Sequence, residues 1–360
     1  MTEPNILAPI PLIDARSGGA LSHATASMIR ARALRDDCLA FFPRGAGPFL
    51  PLLDALTRRW LTRSQSPYIG ETAAIASLLG CSGIWFLNGS YQWGCTALAR
   101  EEEGLLWLAR TLDWPFTGLG RHVEIAWKAG PAGDFYSATW PGYVGALSAM
   151  APGRFAACVN QAPLFRRTRH PWLRPYDFVA NALHTWGIRH IPPDQLLRQV
   201  FEISENFAAA RRMLETTPVA RPVIYTLIGC AAGERCIIER TEEGFATRED
   251  EAATANDWLR AAPHWEGRIN ADRILTCSYE EAGENSRARR QTLADFSGSL
   301  ARECFSWIRE PVLNLYTRMA VEMCPARAIL RVVGYDMVAG CDLPQRVTRV
   351  REIAAEKAAA

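Results

Sequence analysis

The sequence predicts a layered α+β protein. Three observations predict it: a mostly helical first quarter, a block of short antiparallel strands beginning near residue 95, and a return to helices and then strands towards the end. The chain has 360 residues, 49% of them hydrophobic and 22% charged, enough to bury a large core in one sizeable domain or two. It divides at residue 94 into a helical N-terminal segment (1–94) and a strand-rich body (95–360).

The helices of the first segment follow from apolar spacing. Residues 22–42 carry apolar side chains at helical intervals behind a serine cap, and the Arg-Gly-Ala-Gly-Pro run at 44–48 breaks them. Residues 49–61 form a second amphipathic helix with Leu50, Leu53, Leu56 and Trp60 near one face. A third runs from Ile69 and stops at Gly80. Residues 84–93 are apolar and aromatic, and they run straight into the stretch that organises the chain.

That stretch, 94–116, parses as a β-hairpin. Residues 95–100 alternate small and larger side chains, 101–104 form a polar turn ending in glycine, and 105–111 are a second apolar run. With a four-residue loop, Cys95 sits opposite Arg110, and Asp113 follows where the strand ends. A thiol, a guanidinium and a carboxylate then share one end of one hairpin. An adjacent cation favours the thiolate, the nucleophilic form of cysteine, so the trio suits attack on a carbonyl. The hairpin holds no histidine to act as base. Cutting the chain before Cys95 supplies one, because a free α-amine titrates near pH 8, in the range a general base needs. The plainer alternative is an Arg–Asp pair beside a small buried cysteine.

Beyond the hairpin the strands continue. Residues 122–129 alternate, 136–150 read as two strands bent at Pro141-Gly142, and 154–161 return after a turn. An Arg/Pro-rich loop at 163–175 precedes helices over 176–216, with Pro193 in a first turn. Strands resume at 222–229 and 235–240, and a further one leads to Asn256. Residues 259–285 read as loop, 286–307 as helix and 328–333 as a late strand. The tail at 358–360 is alanine.

Composition excludes several classes. A net charge of +2 and a pI near 8.1 fit neither a nucleic-acid binder nor an acidic tail. The densest basic run, Arg166-Arg167-Thr168-Arg169, reads as a solvated loop. The ten cysteines lie partly in apolar runs and form no CxxC or Cys/His cluster, which disfavours zinc and suits reduced thiols. No secretory signal and no apolar run of about 20 residues is visible, so a soluble, cytoplasmic protein is expected.

Cys95-Thr96, Arg110 and Asp113 in this order resemble the choloylglycine hydrolase and acid ceramidase superfamily of N-terminal-nucleophile amidohydrolases. The likeness is nearest to acid ceramidase, N-acylethanolamine acid amidase and the penicillin acyltransferase-like peptidases. It extends to 137–164, similar to the GYVG…PG…LNER stretch of that family. It extends also to Thr254-Ala255-Asn256-Asp257-Trp258, similar to its TN-x-DHW motif. The resemblance implies an αββα sandwich of two antiparallel sheets between helical layers. It implies that Cys95 is both nucleophile and, after cleavage at Gly94–Cys95, the α-amine base. Arg110 and Asp113 would orient that terminus, and Asn256 and Asn160 would donate to the oxyanion. A late arginine would complete the site, Arg287 first and Arg289 next. Gln161 departs from the family's glutamate, and about thirty residues separate Asn256 from Arg287, more than the family pattern suggests.

The expected activity is hydrolysis of a small, lipophilic N-acyl amide through a thioester, without metal or organic cofactor, by two cleavage fragments that stay associated. An acyltransferase, or an uncleaved lipid- or partner-binding homologue, is the alternative.

Overall fold

A computed structural model of the chain describes residues 7–40, 47–90, 94–260, 262–267 and 275–354. The helix end predicted at 41–42, the break at 44–46, Trp93 and the alanine tail lie outside these residues.

The first segment comprises strand β1 (Leu12–Asp14) and helices α1 (Gly19–Ala26), α2 (Met28–Ala40), α3 (Leu50–Leu61), α4 (Ile69–Leu79) and α5 (Ile84–Gly89). The hairpin is β2 (Gly94–Glu102) and β3 (Leu105–Asp113). Then come β4 (Glu124–Gly130), β5 (Gly133–Thr139), β6 (Ser148–Ala151), β7 (Phe155–Gln161) and β8 (Leu164–Phe165). Helices α6 (Arg174–Gly187), α7 (Pro193–Ile203) and α8 (Phe207–Thr216) follow. Strands β9 (Val223–Ile228), β10 (Arg235–Arg240), β11 (Phe245–Arg248), β12 (Ala253–Thr254) and β13 (Trp265–Glu266) lead to α9 (Tyr279–Ala294). The chain closes with β14 (Thr317–Cys324), β15 (Ile329–Asp336), β16 (Gln345–Arg346) and β17 (Arg351–Ile353).

One sheet runs β1-β4-β5-β6-β7-β9-β10-β11; the other runs β12-β2-β3-β14-β15-β16, with β17 also on β15. All pairings between these strands are antiparallel except β1 with β4. The sheets pack face to face through β2 and β3 against β7 and β9. Helices α7 and α8 cover the outer face of the first sheet, and α9 covers β2 and β12 of the second. The architecture is an α+β sandwich layered αββα. Inward-facing Ala97, Leu106, Leu108 and Leu112 join the core between the sheets, while Leu98, Trp107 and Ala109 pack outward with Leu293 and Trp307. The hairpin is buried on both faces over 94–99 and 106–113, so apolar residues stand on both faces there.

Several sequence expectations shift, each for a local reason. The hairpin loop is two residues, Glu103 (φ 53°) and Gly104 (φ 74°), the left-handed pair of a tight hairpin turn. Cys95 therefore pairs with Leu112, and Arg110 pairs with Ala97. The slip moves each partner by two positions, so Arg110 keeps the face of Cys95 and lies diagonal to it. The first helix divides at Ser27, whose hydroxyl donates to Glu124 Oε2 at 2.7 Å. The single strand expected after Gly244 is two strands in different sheets, separated by the acidic run Glu249-Asp250-Glu251. The late helix starts at Tyr279, not residue 286, because Ser278 and Glu281 form a capping box, and it stops at Ala294. Strand β14 has no counterpart among the elements expected from the sequence: it is buried on both faces and carries Arg318 and Glu322, which mask its apolar character.

The N-terminal segment is more than a helical layer, since β1 extends the first sheet. Its helices dock through buried polar groups: His23 Nε2 lies 2.7 Å from Glu124 Oε2, Glu71 pairs with Arg198, and Tyr68 donates to Glu202 Oε2 at 2.6 Å. Lys128 on β4 is buried in this layer, and its Nζ has no hydrogen-bond partner among the described residues. Burial, aided by Arg198, pushes its pKa from 10.5 down to about 7. Between those values the unfolded chain binds the proton and the folded chain does not, so stability rises with pH across that window. Lys128→Met is expected to flatten that rise, measured as urea midpoints at the two ends of the window; an unchanged slope would refute the assignment.

Candidate active site

Cys95 begins the inner face of β2, with its side chain fully buried between the sheets. Arg110 reaches it diagonally from β3, and its Nη2 lies 2.9 Å from Cys95 Sγ. The guanidinium is itself fixed by backbone carbonyls, Leu147 O at 3.0 Å and Val159 O at 2.9 Å, and by Ser148 Oγ. A guanidinium without a carboxylate in these contacts directs its charge at the sulfur, which favours negative charge there. Cys158 lies nearby on β7. Burial pushes its thiol up to about 12, and Arg110 only partly opposes this.

The main chain of Cys95 is held from the other side of the sheet. Its N–H donates to Asn256 Oδ1 at 2.9 Å, and its carbonyl accepts from Arg289 Nη1 at 2.8 Å. Arg289 also donates to Thr96 Oγ1 at 2.9 Å and to Asn256 Oδ1 at 3.1 Å. Asn256 is placed by the end of β12, which pairs with β2, and its N–H donates to Ser286 Oγ at 3.0 Å. Two donors on its side-chain oxygen fix the orientation of the amide. Its Nδ2 then donates to Gln161 O at 2.8 Å.

Not every candidate joins the thiol. Asp113 pairs with Gly94 but points to the outer face, opposite the face of Cys95 Sγ. There it accepts from Asn314 Nδ2 at 2.9 Å and Thr317 Oγ1 at 3.0 Å, and it lies 3.8 Å from Arg289 Nη1. The thiol–guanidinium–carboxylate trio read from the hairpin is thus split by the sheet, because residues 110 and 113 are an odd number apart. Arg287 is exposed, whereas Arg289 is buried and reaches the Cys95 carbonyl. The helix decides this, since Ala282, Ser286, Arg289 and Leu293 form the buried stripe of α9 at helical spacing and 287 falls outside it. Ser148, Ser286, Asn314 and Thr317 were not singled out in the sequence. Only Ser286 left a signal there, three residues before Arg289.

Asn160 lies on the inner face of β7 and donates through Nδ2 to Ala255 O at 3.1 Å, beside Asn256. Gln161 connects this cluster to a cleft of about 590 Å³. Its carbonyl accepts from Asn256, and the residue also lines the cleft. The walls come from α3, α6, β8 and β13, with Trp60, Phe165, Phe178, Trp186 and Trp265 among them. Leu56, expected on the buried face of its helix, is 45% exposed at this cleft. All ten cysteines are free thiols, and no described group of three His, Cys, Asp or Glu residues is arranged to hold a metal ion. Among the described residues no helix is long and apolar enough to cross a membrane.

No family model matches the chain. Among curated proteins it is similar to the N-acylethanolamine-hydrolyzing acid amidase of Oryctolagus cuniculus, 27% identical over 188 residues, which cover 50% of this chain and 49% of that protein. The same amidase of Rattus norvegicus is 26% identical over 211 residues, covering 56% and 55%. Acid ceramidase of Balaenoptera acutorostrata scammoni is 24% identical over 221 residues, covering 56% and 53%. The chain spans about half the length of the curated relatives it matches. Among solved structures, a Caenorhabditis elegans ortholog of N-acylethanolamine-hydrolyzing acid amidase matches with a TM-score of 0.46 at 17% identity, covering 64% of this chain and 93% of that one. A conjugated bile acid hydrolase from Clostridium perfringens matches with a TM-score of 0.36 at 10% identity, covering 73% and 97%. Over about half its length the chain is similar to these acid amidases and to acid ceramidase.

Proposed function

We propose that this relative of the acid amidases is itself a cysteine amidohydrolase, matured by cleavage at Gly94–Cys95, that acts on a lipophilic N-acyl amide. The observation that carries the reading is that Cys95 is held at both of its reactive atoms. Arg110 lies 2.9 Å from its sulfur and Asn256 Oδ1 lies 2.9 Å from its nitrogen. The kinship to the amidases and the apolar cleft at Gln161 support the same reading.

In this mechanism the freed α-amine of Cys95 takes the thiol proton, and Arg110 favours the thiolate left behind. The sulfur attacks the amide carbonyl, forming an S–C bond. The oxyanion is met by side-chain amides of the Asn256–Asn160 pair. The C–N bond breaks as the α-ammonium gives its proton to the leaving amine, and water then hydrolyses the thioester to a carboxylic acid. Capture of the thioester by an amine instead of water makes the reaction an acyl transfer. Asn256 Oδ1, which accepts from the amide N–H in the uncut chain, orients the amine after the cut. Arg289, leaning on Asp113, keeps the first peptide of the new terminus in place.

A binding protein that stays uncut is the rival, favoured by the complete burial of Cys95. Intact mass under denaturing conditions separates the two. Fragments of 94 and 266 residues, which together make the 360 of the chain, are expected from the enzyme. They should be followed by turnover of a fluorogenic N-acyl amide. A chain still whole after incubation at acid and neutral pH would overturn the mechanism and leave the binding reading.

A further inference from the structure

In the run Arg166-Arg167-Thr168-Arg169, Arg167 and Arg169 are exposed as in a solvated loop, but Arg166 is not. Arg166 is 1% exposed and belongs to a sealed quartet with Arg174 (0%), Asp177 (0%) and Glu266 (1%). Arg166 Nε donates to Asp177 Oδ2 at 2.6 Å and its Nη1 to Glu266 Oε2 at 2.6 Å; Arg174 Nη2 donates to Glu266 Oε1 at 2.7 Å. Two guanidinium groups and two carboxylates balance to zero, as buried charges require.

The quartet joins two walls of the cleft. Arg174 and Asp177 open helix α6, which contributes Phe178 and Trp186 to the cleft. Arg166 directly follows β8, and Glu266 ends β13. These two strands pair with each other alone and contribute Leu164, Phe165 and Trp265 to the cleft. A two-stranded ribbon of two residues each has almost no stability of its own. It belongs to neither large sheet, and its aromatic residues are not part of the core between them. Its position must come from elsewhere. Asp177 Oδ1 also accepts from Arg167 N at 2.8 Å, and Asn181 of α6 donates to Phe165 O at 2.8 Å, so the same pin orients the backbone beside Phe165.

The geometry points to the Arg166–Arg174–Asp177–Glu266 quartet as a positioning device for substrate selection: it pins the aromatic ribbon to α6 and so fixes the width of the cleft that receives the apolar part of the substrate. This rests on the amidohydrolase reading above. None of the contacts described above joins the quartet to Cys95 or its partners, so its removal acts on binding rather than on bond making.

Glu266→Gln keeps the side-chain shape and strips one charge. It is expected to lower kcat/KM about 10-fold for a long-chain fluorogenic N-acyl amide, chiefly through KM, with a much smaller loss for a short-chain one. Adding Arg174→Met restores neutrality and should recover most of the long-chain loss. Should Glu266→Gln fail to fold, Trp265→Ala, which leaves the quartet whole, is expected to give the same dependence on chain length. Equal losses at both lengths, or a loss confined to kcat, would overturn the proposal. If the natural chain hydrolyses neither amide, the amidohydrolase reading has failed instead. The quartet is then judged by a fluorescent fatty acid titrated into the intact protein. About 10-fold weaker binding by Glu266→Gln supports it, and unchanged binding overturns it.

Discussion

Replacing Cys95 with alanine is expected to leave the chain as one piece and to abolish amide turnover. Both losses follow from one atom in the proposed mechanism. The sulfur attacks the carbonyl of Gly94 to cut the chain, and the same sulfur later attacks the substrate. Alanine fits the site without strain, because Cys95 sits among inward-facing apolar residues of β2 and β3 and alanine fills less space. The expected cost to stability is on the order of 1 kcal/mol, so the variant should remain folded. The check is intact mass together with a turnover assay and a thermal melt. A folded alanine variant that still cuts itself or hydrolyses substrate would end the nucleophile assignment. Serine is a weaker probe, since a hydroxyl can also cleave the precursor.

Arg289→Met should be the next most damaging change, with kcat reduced about 100-fold or more and KM affected much less. Arg289 touches Cys95 O, Thr96 Oγ1 and Asn256 Oδ1, and so fixes the nucleophile's backbone and the side chain that holds its nitrogen. A displacement of about 1 Å at a nucleophile costs that much. Lysine should rescue little, because a single ammonium cannot reproduce the forked contacts of a guanidinium. Arg287→Met, made in parallel, is expected to stay within about twofold of the natural chain because Arg287 is exposed. Equal effects at 287 and 289 would refute the placement of α9 over the site.

These two arginines show where the sequence stops being readable. Both are candidates for the late arginine that the resemblance implies, Arg287 before Arg289. The helix in the structure separates them. Reading it from Tyr279, behind the Ser278–Glu281 capping box, puts Ala282, Ser286, Arg289 and Leu293 on one face and excludes Arg287. That box was legible in the sequence. Asp113 shows a different limit. Strand parity sends residues 110 and 113 to opposite faces. Position 113 therefore serves Arg289 and the outer layer, not the sulfur.

By itself the sequence determined the local choices. These are the hairpin with its thiol and guanidinium on one face, the helix stop at Gly80, most strands of the first sheet and the layered α+β class. All depend on the period of apolar residues and on turn chemistry within about ten neighbours. Only the tertiary structure decided what is set by packing between distant segments. It placed β14, whose Arg318 and Glu322 hide a central strand, beside β3. It carried the chain from one sheet to the other between β11 and β12, which brings Asn256 to Cys95 across 161 positions. It also buried Arg166 against Asp177 and Glu266 where composition suggested a solvated loop. A charge is buried only when its partner is there to meet it, and sequence periodicity carries no record of a partner 100 residues away.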